Sequence, residues 1–377
     1  MDRPVRILHA HSTFALGGKE ARAVRLMNAF GRAAEHSIIS GMPDQLSARD
    51  AIDRSLRVDF PDGAPPLSGR PGARLWKLAR FMRDFDLVLT YNWGALDAVM
   101  ARRLFGGPPL VHHEDGFNQD EAGQLKSGRN LYRRLALGAA HRLVVPSEQL
   151  EKVAARAWRQ PADRIQRIPN GVPIERFSCR PAGDSIPGLT RREGEIVIGT
   201  VAGLRPVKNL PRLVRAFAAM RSKAARLVIV GQGPESERIV AEARALGVAD
   251  RLILPGFIPD PARYIGLFDI FALSSNSEQF PISLVEAMAA GLPAVCTGVG
   301  DIKAIVSADN RPLIVSPEDE AAFTAALDSL ADRSDLRRNI GLANRERAAA
   351  EYDERRMIEH YARLYAEAIR RPRAFMP

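Results

Sequence analysis

The chain has little cysteine and no long apolar run, and both absences limit the kind of protein it can be. Two cysteines, Cys179 and Cys296, in 377 residues are too few for a disulfide framework. No apolar stretch reaches the roughly 18 uncharged residues of a membrane-spanning helix. The N-terminus enters a strand-like segment without the pattern of a signal peptide. We therefore expect a cytoplasmic protein, with peripheral attachment at the inner face of a membrane as an option.

Aromatic residues are also scarce, at 6% of the chain. They are not interleaved with basic residues, so we expect no nucleic-acid partner. No G-x-G-x-x-G sequence follows a predicted strand, which argues against a dinucleotide cofactor. The sequence therefore predicts no cofactor of this class.

The net charge of +10 is concentrated in the first half of the chain. Residues 1–187 contain 28 Lys and Arg against 20 Asp and Glu, whereas residues 188–377 contain 26 against 24. Such an asymmetry indicates an anionic partner for that half, which could be a phosphate group, a nucleic acid or a membrane surface. Solvated arginines of an arginine-rich chain explain the surplus equally well.

Short apolar runs alternate with helical stretches along the whole chain. This alternation predicts two doubly wound α/β domains, each with a mostly parallel sheet, facing a cleft. A segment rich in proline, glycine and charge, 172–194, predicts a linker, and 318–370 predicts a helical tail. The expected strands are 5–11, 36–40, 86–91, 109–113, 141–147 and 165–171, then 195–202, 225–231, 251–256, 269–275, 293–298 and 312–316.

Ligands of such sheets bind beyond the carboxyl ends of the strands, and three strand ends of the first half carry polar or flexible residues. Gly17 and Gly18 follow the first strand and open a helix, where backbone N–H groups can meet an anion or simply make a tight turn. Asn92 and Trp93 could contact a sugar, although a helix N-cap is the stronger interpretation of Asn92. The run His112, His113, Glu114 and Asp115 rarely converges on one metal ion, so we expect one histidine to face the cleft.

The strand ends of the second half carry cations and glycines. Arg205 and Lys208 lie three residues apart after the strand at 195–202, where they suit a pyrophosphate or are solvated. Gly231 begins a turn before a helix, and Phe257 follows the strand at 251–256, where it could contact a base or complete the core.

The stretch at 275–295 passes from a loop into an apolar helix and carries Glu278 and Glu286. A carboxylate here is a natural partner for vicinal hydroxyls, and the N–H groups at the helix start suit a phosphate. Favourable interaction with the helix dipole would also account for glutamates at these positions. Their spacing alone does not decide between a role in ligand binding and a role in stabilising the helix.

Several segments in this order resemble the retaining glycosyltransferases of family 4, which have the GT-B fold. The resemblance runs nearly from end to end, through GGKE (17–20), IPNGVPIERF (168–177), GLRPVKN (203–209), VGQGP (230–234) and SEQFPISLVEAMAAGLP (277–293). It implies an acceptor-side domain at 1–180, a donor-binding domain at 181–355, and a last helix at 356–377 that crosses back to the first domain.

The resemblance also implies roles for individual residues around a nucleotide-sugar donor. Arg205 and Lys208 would neutralise the diphosphate, and Glu286 would hold the ribose. Glu278 and His113 would act at the donor sugar, with His112 and Asp115 as rivals of His113. Further candidates at the donor are Gly17, Gly18, Gly231, Phe257, Phe280, Pro281 and Ile282, and further acceptor-side candidates are Asn92 and Trp93.

The implied reaction is transfer of a hexose-type sugar with retention at the anomeric carbon, from a UDP- or GDP-sugar to a glycan or lipid-linked acceptor of surface polysaccharide biosynthesis. The resemblance implies no metal, and no D-x-D-like acidic cluster stands at a strand end. One departure is Gln279-Phe280-Pro281 where many members have Gly-Phe-Gly, so Pro281 removes a backbone donor. The alternatives are a nucleotide-sugar epimerase, a transferase with a sugar-phosphate acceptor, and a non-catalytic nucleotide-sugar-binding protein.

Overall fold

The chain divides into two compact units. The computed structural model describes residues 3–117, 121, 125–179 and 181–375. The first unit comprises Met1–Asn170 and Arg356–Pro377, and the second comprises Gly171–Arg355. The boundary thus lies at 170/171 and not at 180/181. The expected linker 172–194 is a wrong interpretation, because Phe177, Ile186 and Leu189 are buried in the core of the second unit.

The first unit is built on a parallel sheet of seven strands in the order β3-β2-β1-β4-β5-β6-β7. All of its strand pairs are parallel, as the alternation of strands and helices predicted. The two-residue strand β3 was not predicted. The strands are β1 (Val5–His11), β2 (Ala34–Ser40), β3 (Val58–Asp59), β4 (Leu87–Tyr91), β5 (Leu110–His113), β6 (Arg142–Val145) and β7 (Ile165–Arg167).

Helices cover both faces of this sheet because successive strand side chains point to opposite sides. Ile7 joins a core with helix α1 and the last helix of the chain, whereas Leu8 joins a core with α2, α3, α4 and α5. Helix α5 starts at a side-chain cap, in which Ser147 Oγ accepts the Leu150 N–H at 3.1 Å. The helices are α1 (Gly18–Phe30), α2 (Ala73–Met82), α3 (Leu96–Phe105), α4 (Ser127–Leu137) and α5 (Glu148–Arg156).

The second unit repeats this plan with six parallel strands in the order β10-β9-β8-β11-β12-β13. Every strand lies within a run that the sequence predicted. The strands are β8 (Ile196–Val201), β9 (Ala225–Val230), β10 (Leu252–Gly256), β11 (Ile270–Leu273), β12 (Ala294–Thr297) and β13 (Ile314–Val315).

The helices of the second unit include one that is buried on nearly all sides. Leu284 to Ala289 of helix α9 are buried without interruption, and all of them except Glu286 are apolar, as expected of a helix in a core. Gly291 ends this helix at a φ of +75°. The helices are α6 (Ile174–Phe177), α7 (Leu210–Ala219), α8 (Ser236–Ala245), α9 (Ile282–Ala289), α10 (Ile302–Ile305), α11 (Glu320–Asp332) and α12 (Ser334–Glu351).

The predicted helical tail is formed by α11, α12 and a last helix, α13 (Glu354–Ala368). Met357, Tyr361 and Tyr365 of α13 belong to the core of the first unit. Within the residues that the structure describes, no helix is both long and apolar enough to cross a bilayer.

Candidate functional site

Four neighbouring strands of the second unit end side by side and carry most of the predicted donor residues. In the order β10-β9-β8-β11, the strands are followed by Phe257, Gly231, Arg205 with Lys208, and Glu278. Because parallel strands present their carboxyl ends at one edge, these residues share the edge at which α/β sheets bind ligands. We call this row the donor edge.

Backbone contacts hold the turns of the donor edge against each other. The Gly231 N–H donates to the Gly256 carbonyl at 2.9 Å, and the Leu204 N–H donates to the Gln232 carbonyl at 3.0 Å. Gly231 has a φ of +150°, and a Cβ at this position would lie 1.8 Å from the Ala202 carbonyl oxygen. Glycine is therefore required here by the close approach of two backbone segments.

Lys208 and Glu278 are brought together although they are far apart in sequence. Lys208 Nζ donates to Glu278 Oε1 at 2.5 Å, and Ser275 Oγ donates to the same oxygen at 2.7 Å. The Lys208 side chain is 23% exposed and that of Glu278 is 9% exposed, so the pair is accessible mainly from the lysine side. A ligand bound at this edge would contact a cation and a carboxylate that already form an ion pair.

Arg205 stands in the same turn as Lys208 but has no partner of its own. Its side chain is exposed, and no described acid forms an ion pair with it. An exposed guanidinium beside an ammonium gives the donor edge two cations within one turn, and such a pair suits a diphosphate.

Glu286 lies on the buried helix α9 and faces Tyr264. Glu286 is 7% exposed. Burial, and next the charge of Glu286, raise the pKa of Tyr264 well above its usual value. The carboxylate of Glu286 is therefore in a protected position on the helix that follows the Glu278 loop.

Phe280, Pro281 and Ile282 face inwards more than we expected for donor-binding residues. Phe280 contacts Tyr352 edge to face at 5.6 Å, and both Phe280 and Ile282 are packed against the core. Pro281 is the N-cap residue of α9, and its carbonyl accepts the Leu284 N–H at 3.1 Å. Their side chains therefore support the helix start, whereas Phe257 is 54% exposed at the donor edge.

Two neighbours of Glu278 were missed by the sequence analysis. Ser275 fixes the carboxylate, and a Cβ at Gly300 would lie 2.1 Å from the Glu278 carbonyl oxygen. The signal for Gly300 is the glycine-rich end of the adjacent strand β12. Gln279 is 9% exposed, and its Oε1 has no hydrogen-bond partner among the described residues.

The first unit presents its glycine turn at the end of β1. Gly17 and Gly18 are exposed, Gly17 is the N-cap residue of α1, and Gly18 is its first residue. Lys19 Nζ donates to the Thr13 carbonyl at 3.2 Å and forms an ion pair with Glu20. The start of α1 is thus open, as a loop that approaches an anion requires.

His113 does not face an open strand end, and this corrects our expectation. It is 1% exposed. Its Nε2 lies 2.8 Å from the Tyr365 hydroxyl, and its Nδ1 lies 3.2 Å from the Thr90 carbonyl oxygen. Burial, and next the charge of Arg22, lower the pKa of His113 to about 3. In this position the ring is a neutral internal group, which does not support contact with a donor sugar.

Asp115 and Asn92 are also engaged inside the first unit. Arg22, which the sequence analysis missed, binds the Asp115 carboxylate through both terminal nitrogens and donates to Asn170 Oδ1 at 3.0 Å. Burial acts to raise the pKa of Asp115, but the charge and hydrogen bonds of Arg22 outweigh it, and the pKa is lowered. Asn92 caps no helix with its side chain, because its Oδ1 accepts the Asp115 N–H at 2.7 Å.

His112 and Trp93 lie on the opposite side of the sheet from His113. The Nδ1 of His112 is 2.8 Å from Thr90 Oγ1, and its Nε2 is 3.8 Å from Glu114 Oε2. Trp93 is covered by the guanidinium groups of Arg129 and Arg133, each 5.0 Å from its ring. Stacking of Trp93 on a sugar would require these cations to move.

The two units therefore differ in what they offer to a ligand. The donor edge of the second unit has exposed cations next to carboxylates, whereas the polar candidates of the first unit, apart from its glycine turn, are mostly satisfied internally. In the described ranges, no group of three or more His, Cys, Asp or Glu is placed to hold a metal ion.

Comparisons with known proteins match both halves of the chain. The family model described as Glycosyl transferases group 1 matches residues 184–347, and that described as Glycosyltransferase Family 4 matches residues 6–176. The 2-deoxystreptamine N-acetyl-D-glucosaminyltransferase of Streptomyces fradiae is 30% identical over 92% of this chain and 91% of its own length. The N-acetyl-alpha-D-glucosaminyl L-malate synthase of Bacillus anthracis is 27% identical, and the match spans 47% of each chain.

Solved structures resemble the whole chain. Anabaena HepE, in complex with UDP, matches with a TM-score of 0.79 at 19% identity over 96% of this chain and 100% of its own. The sucrose-phosphate synthase of Thermosynechococcus elongatus matches with a TM-score of 0.76 at 21% identity over 96% and 98%. These likenesses confirm the predicted GT-B fold.

Proposed function

Since the chain belongs to the group 1 glycosyl transferases of family 4, we propose that it is a retaining hexosyltransferase with a nucleotide-sugar donor. The proposed acceptor is a glycan or a lipid-linked sugar of surface polysaccharide biosynthesis in the cytoplasm. The observation that carries the proposal is the donor edge, where Arg205, Lys208 and Glu278 lie together at the ends of β8 and β11.

The donor diphosphate would bind at Arg205 and Lys208. Arg205 is exposed and without an acidic partner in the described structure, so it can bind an anion without first breaking an ion pair. Lys208 would divide its interaction between Glu278 and the phosphate. Two cations would stabilise the charge that grows on the diphosphate as it leaves, which is the main requirement of this reaction.

The two glutamates would hold the sugars of the donor. Glu286 would accept hydrogen bonds from the ribose hydroxyls, and Glu278 would accept them from the transferred sugar. In the proposed step, the acceptor oxygen bonds to the anomeric carbon on the face from which the diphosphate departs. The acceptor proton passes to a diphosphate oxygen, so no protein base is needed.

The first unit would contribute its glycine turn and not its buried histidine. Gly17 and Gly18 leave the start of α1 open to a phosphate or a sugar hydroxyl. His113 would act at a distance, by fixing the end of β5 through Tyr365. We propose a metal-independent reaction, in which the cations of the donor edge take the part of a divalent ion.

A donor screen tests this function. The protein is incubated with UDP-, GDP- and ADP-sugars, and nucleoside diphosphate release is measured with and without a mixed glycan acceptor. UDP-sugars come first, because Anabaena HepE is a structural neighbour that binds UDP. We expect release with one donor class and a product of retained anomeric configuration by NMR.

Two outcomes would overturn the proposal. The first is neither transfer nor hydrolysis with any donor, and the second is a product of inverted configuration. Interconversion of two nucleotide-sugars without an acceptor would instead establish an epimerase. Added EDTA should leave the rate unchanged.

A further inference from the structure

The outer surface of helices α2 and α3 in the first unit exposes an unusual amount of apolar side chain. Trp76 is 47% exposed, Leu104 is 59% exposed and Phe105 is 38% exposed. In the described chain ten large apolar side chains are exposed, and five of them lie on α2, α3 and the adjacent α4. Apolar side chains concentrated in this way indicate an interaction surface, whereas scattered ones do not.

Basic side chains surround these apolar residues. Trp76, Arg80, Arg83 and Phe105 line one shallow concavity of about 310 Å³. The Arg80 guanidinium lies 5.6 Å from the Trp76 ring, and Arg83 donates to the Phe105 carbonyl at 3.1 Å. Lys77 is exposed one residue after Trp76. We call Trp76, Lys77, Arg80, Arg83, Leu104 and Phe105 the aromatic–basic patch.

The cations of this patch are not neutralised by the protein. Among the described residues, Lys77, Arg80 and Arg83 form no ion pair, although ion pairs are common elsewhere on the surface. Asp84 lies two residues after the end of helix α2 and forms no ion pair with them among the described residues. Helix α2 itself contains no acid. Unpaired cations around apolar side chains suit a partner that is both anionic and able to receive an indole ring.

We propose that the aromatic–basic patch docks on the surface of an anionic lipid bilayer. Tryptophan favours the boundary between headgroups and acyl chains, and basic side chains at its edge meet the anionic headgroups. A second copy of the chain fits the patch poorly, because a two-fold contact would place the same cations against each other. The proposal goes beyond sugar transfer, since docking requires neither donor nor acceptor.

Vesicle sedimentation tests the proposal with the full-length protein. Vesicles of phosphatidylcholine, with and without phosphatidylglycerol, are mixed with the protein and pelleted. We expect sedimentation with phosphatidylglycerol only, and its loss at high salt. Lys77→Gln/Arg80→Gln should weaken binding about fivefold for each cation removed. Trp76→Gln/Phe105→Gln should lose most of the bound fraction.

Matched variants of the second unit provide the controls. Arg244→Gln/Arg338→Gln removes the same charge, and Leu342→Gln removes an exposed apolar side chain. These variants should bind vesicles like the parent. All patch positions are exposed, so thermal unfolding should confirm that the variants are folded.

Three results would overturn the proposal. The first is equal binding to vesicles with and without phosphatidylglycerol. The second is unchanged vesicle binding of both patch variants. The third is self-association or duplex DNA binding that the patch substitutions abolish while vesicle binding persists. The patch variants should retain donor hydrolysis. Vesicle binding by a protein that transfers no sugar would therefore refute the proposed function alone, and sugar transfer without vesicle binding would refute docking alone.

Discussion

Lys208 and Glu278 form an ion pair in the free protein, with Lys208 Nζ 2.5 Å from Glu278 Oε1. The two residues follow neighbouring strands, and Ser275 holds the same carboxylate oxygen. A diphosphate at the donor edge would compete with Glu278 for the lysine. Phosphate binding and the ion pair with Glu278 therefore compete for Lys208. Substitutions of Lys208 and of Glu278 should for this reason have different effects on nucleotide binding.

Lys208→Met should weaken binding of the nucleoside diphosphate about tenfold or more, because a hydrogen bond to a charged group is lost. Glu278→Gln should bind it at least as tightly as the parent, since the lysine is released, but should transfer sugar more slowly. Titration calorimetry with UDP and GDP measures both effects. Arg244→Gln removes a cation away from the site and serves as the control. Unchanged affinity in Lys208→Met would contradict the assignment.

Gly231→Ala should destabilise the second unit by about 3 kcal/mol or more. The new Cβ would meet the Ala202 carbonyl oxygen at 1.8 Å, and the φ of +150° is itself unfavourable for alanine. Gly247→Ala is the matched control, because Gly247 also has a positive φ but no atom within 4 Å of the new Cβ. We expect it to cost about 1 kcal/mol. Urea unfolding followed by circular dichroism measures the difference, and equal losses would contradict the close-approach argument.

The first unit should lose stability as the pH falls below about 6.5. Burial lowers the pKa of His36 to about 4, burial and the charge of Arg22 lower that of His113 to about 3, and the pKa values of His9 and His11 are also lowered. Below its usual pKa each histidine is protonated in the unfolded chain but not in the folded one. His36 and His113 should therefore each cost about 2 kcal/mol between pH 7 and pH 5, and His9 and His11 should add to this loss.

The variant His11→Phe provides a direct test of this pH dependence. Both ring nitrogens of His11 lack hydrogen-bond partners in the described structure, and its ring stacks on Tyr91 at 3.9 Å. A phenyl ring keeps the stacking and cannot be protonated. The free energy of unfolding of the variant should fall less than that of the parent on going from pH 7 to pH 5 in urea titrations. If the variant and the parent lose the same free energy of unfolding between pH 7 and pH 5, His11 does not contribute to the pH dependence.

Arg133→Met should cost about 3–5 kcal/mol of unfolding free energy. Arg133 is 1% exposed and donates two hydrogen bonds of 3.1 Å to Glu121, while its Nε lies 3.5 Å from the buried Glu114. Methionine would leave the Glu114 carboxylate without this neighbouring cation. Arg156→Met, at an exposed position, should change stability by less than about 0.5 kcal/mol. Thermal and urea unfolding of both variants test the prediction, which fails if they are equally stable.

Most of the fold could be predicted because parallel strands buried on both faces leave long apolar runs. The run at 5–11 coincides with β1, and the other predicted runs contain the observed strands, except that β2 begins two residues before its predicted run. Strand β3, at Val58–Asp59, has no such run because it is two residues long at the sheet edge. The expected linker failed because proline and glycine content indicates irregular backbone but does not reveal that Phe177 and Ile186 are buried.

Local sequence predicted the donor edge better than it predicted the first unit. Arg205, Lys208 and Glu278 follow their strands directly, so strand order alone brings them together. For His113 the decisive partner is Tyr365, which lies 252 residues later in the chain. For Asp115 it is Arg22, on a helix before it. No local sequence pattern reveals the His113–Tyr365 or the Asp115–Arg22 contact. Each contact holds a predicted site residue inside the first unit.

The contact of His113 with Tyr365 has a consequence for synthesis of the chain. Helix α13 completes the core of the first unit through Met357, Tyr361 and Tyr365, which leave the ribosome after the second unit. Domains usually fold in the order in which they emerge, at about 5–20 residues per second. Here the N-terminal sheet must wait, with Tyr91 and His113 uncovered, until the second unit has been translated. A chaperone that covers this face during translation would shield the sheet for that interval.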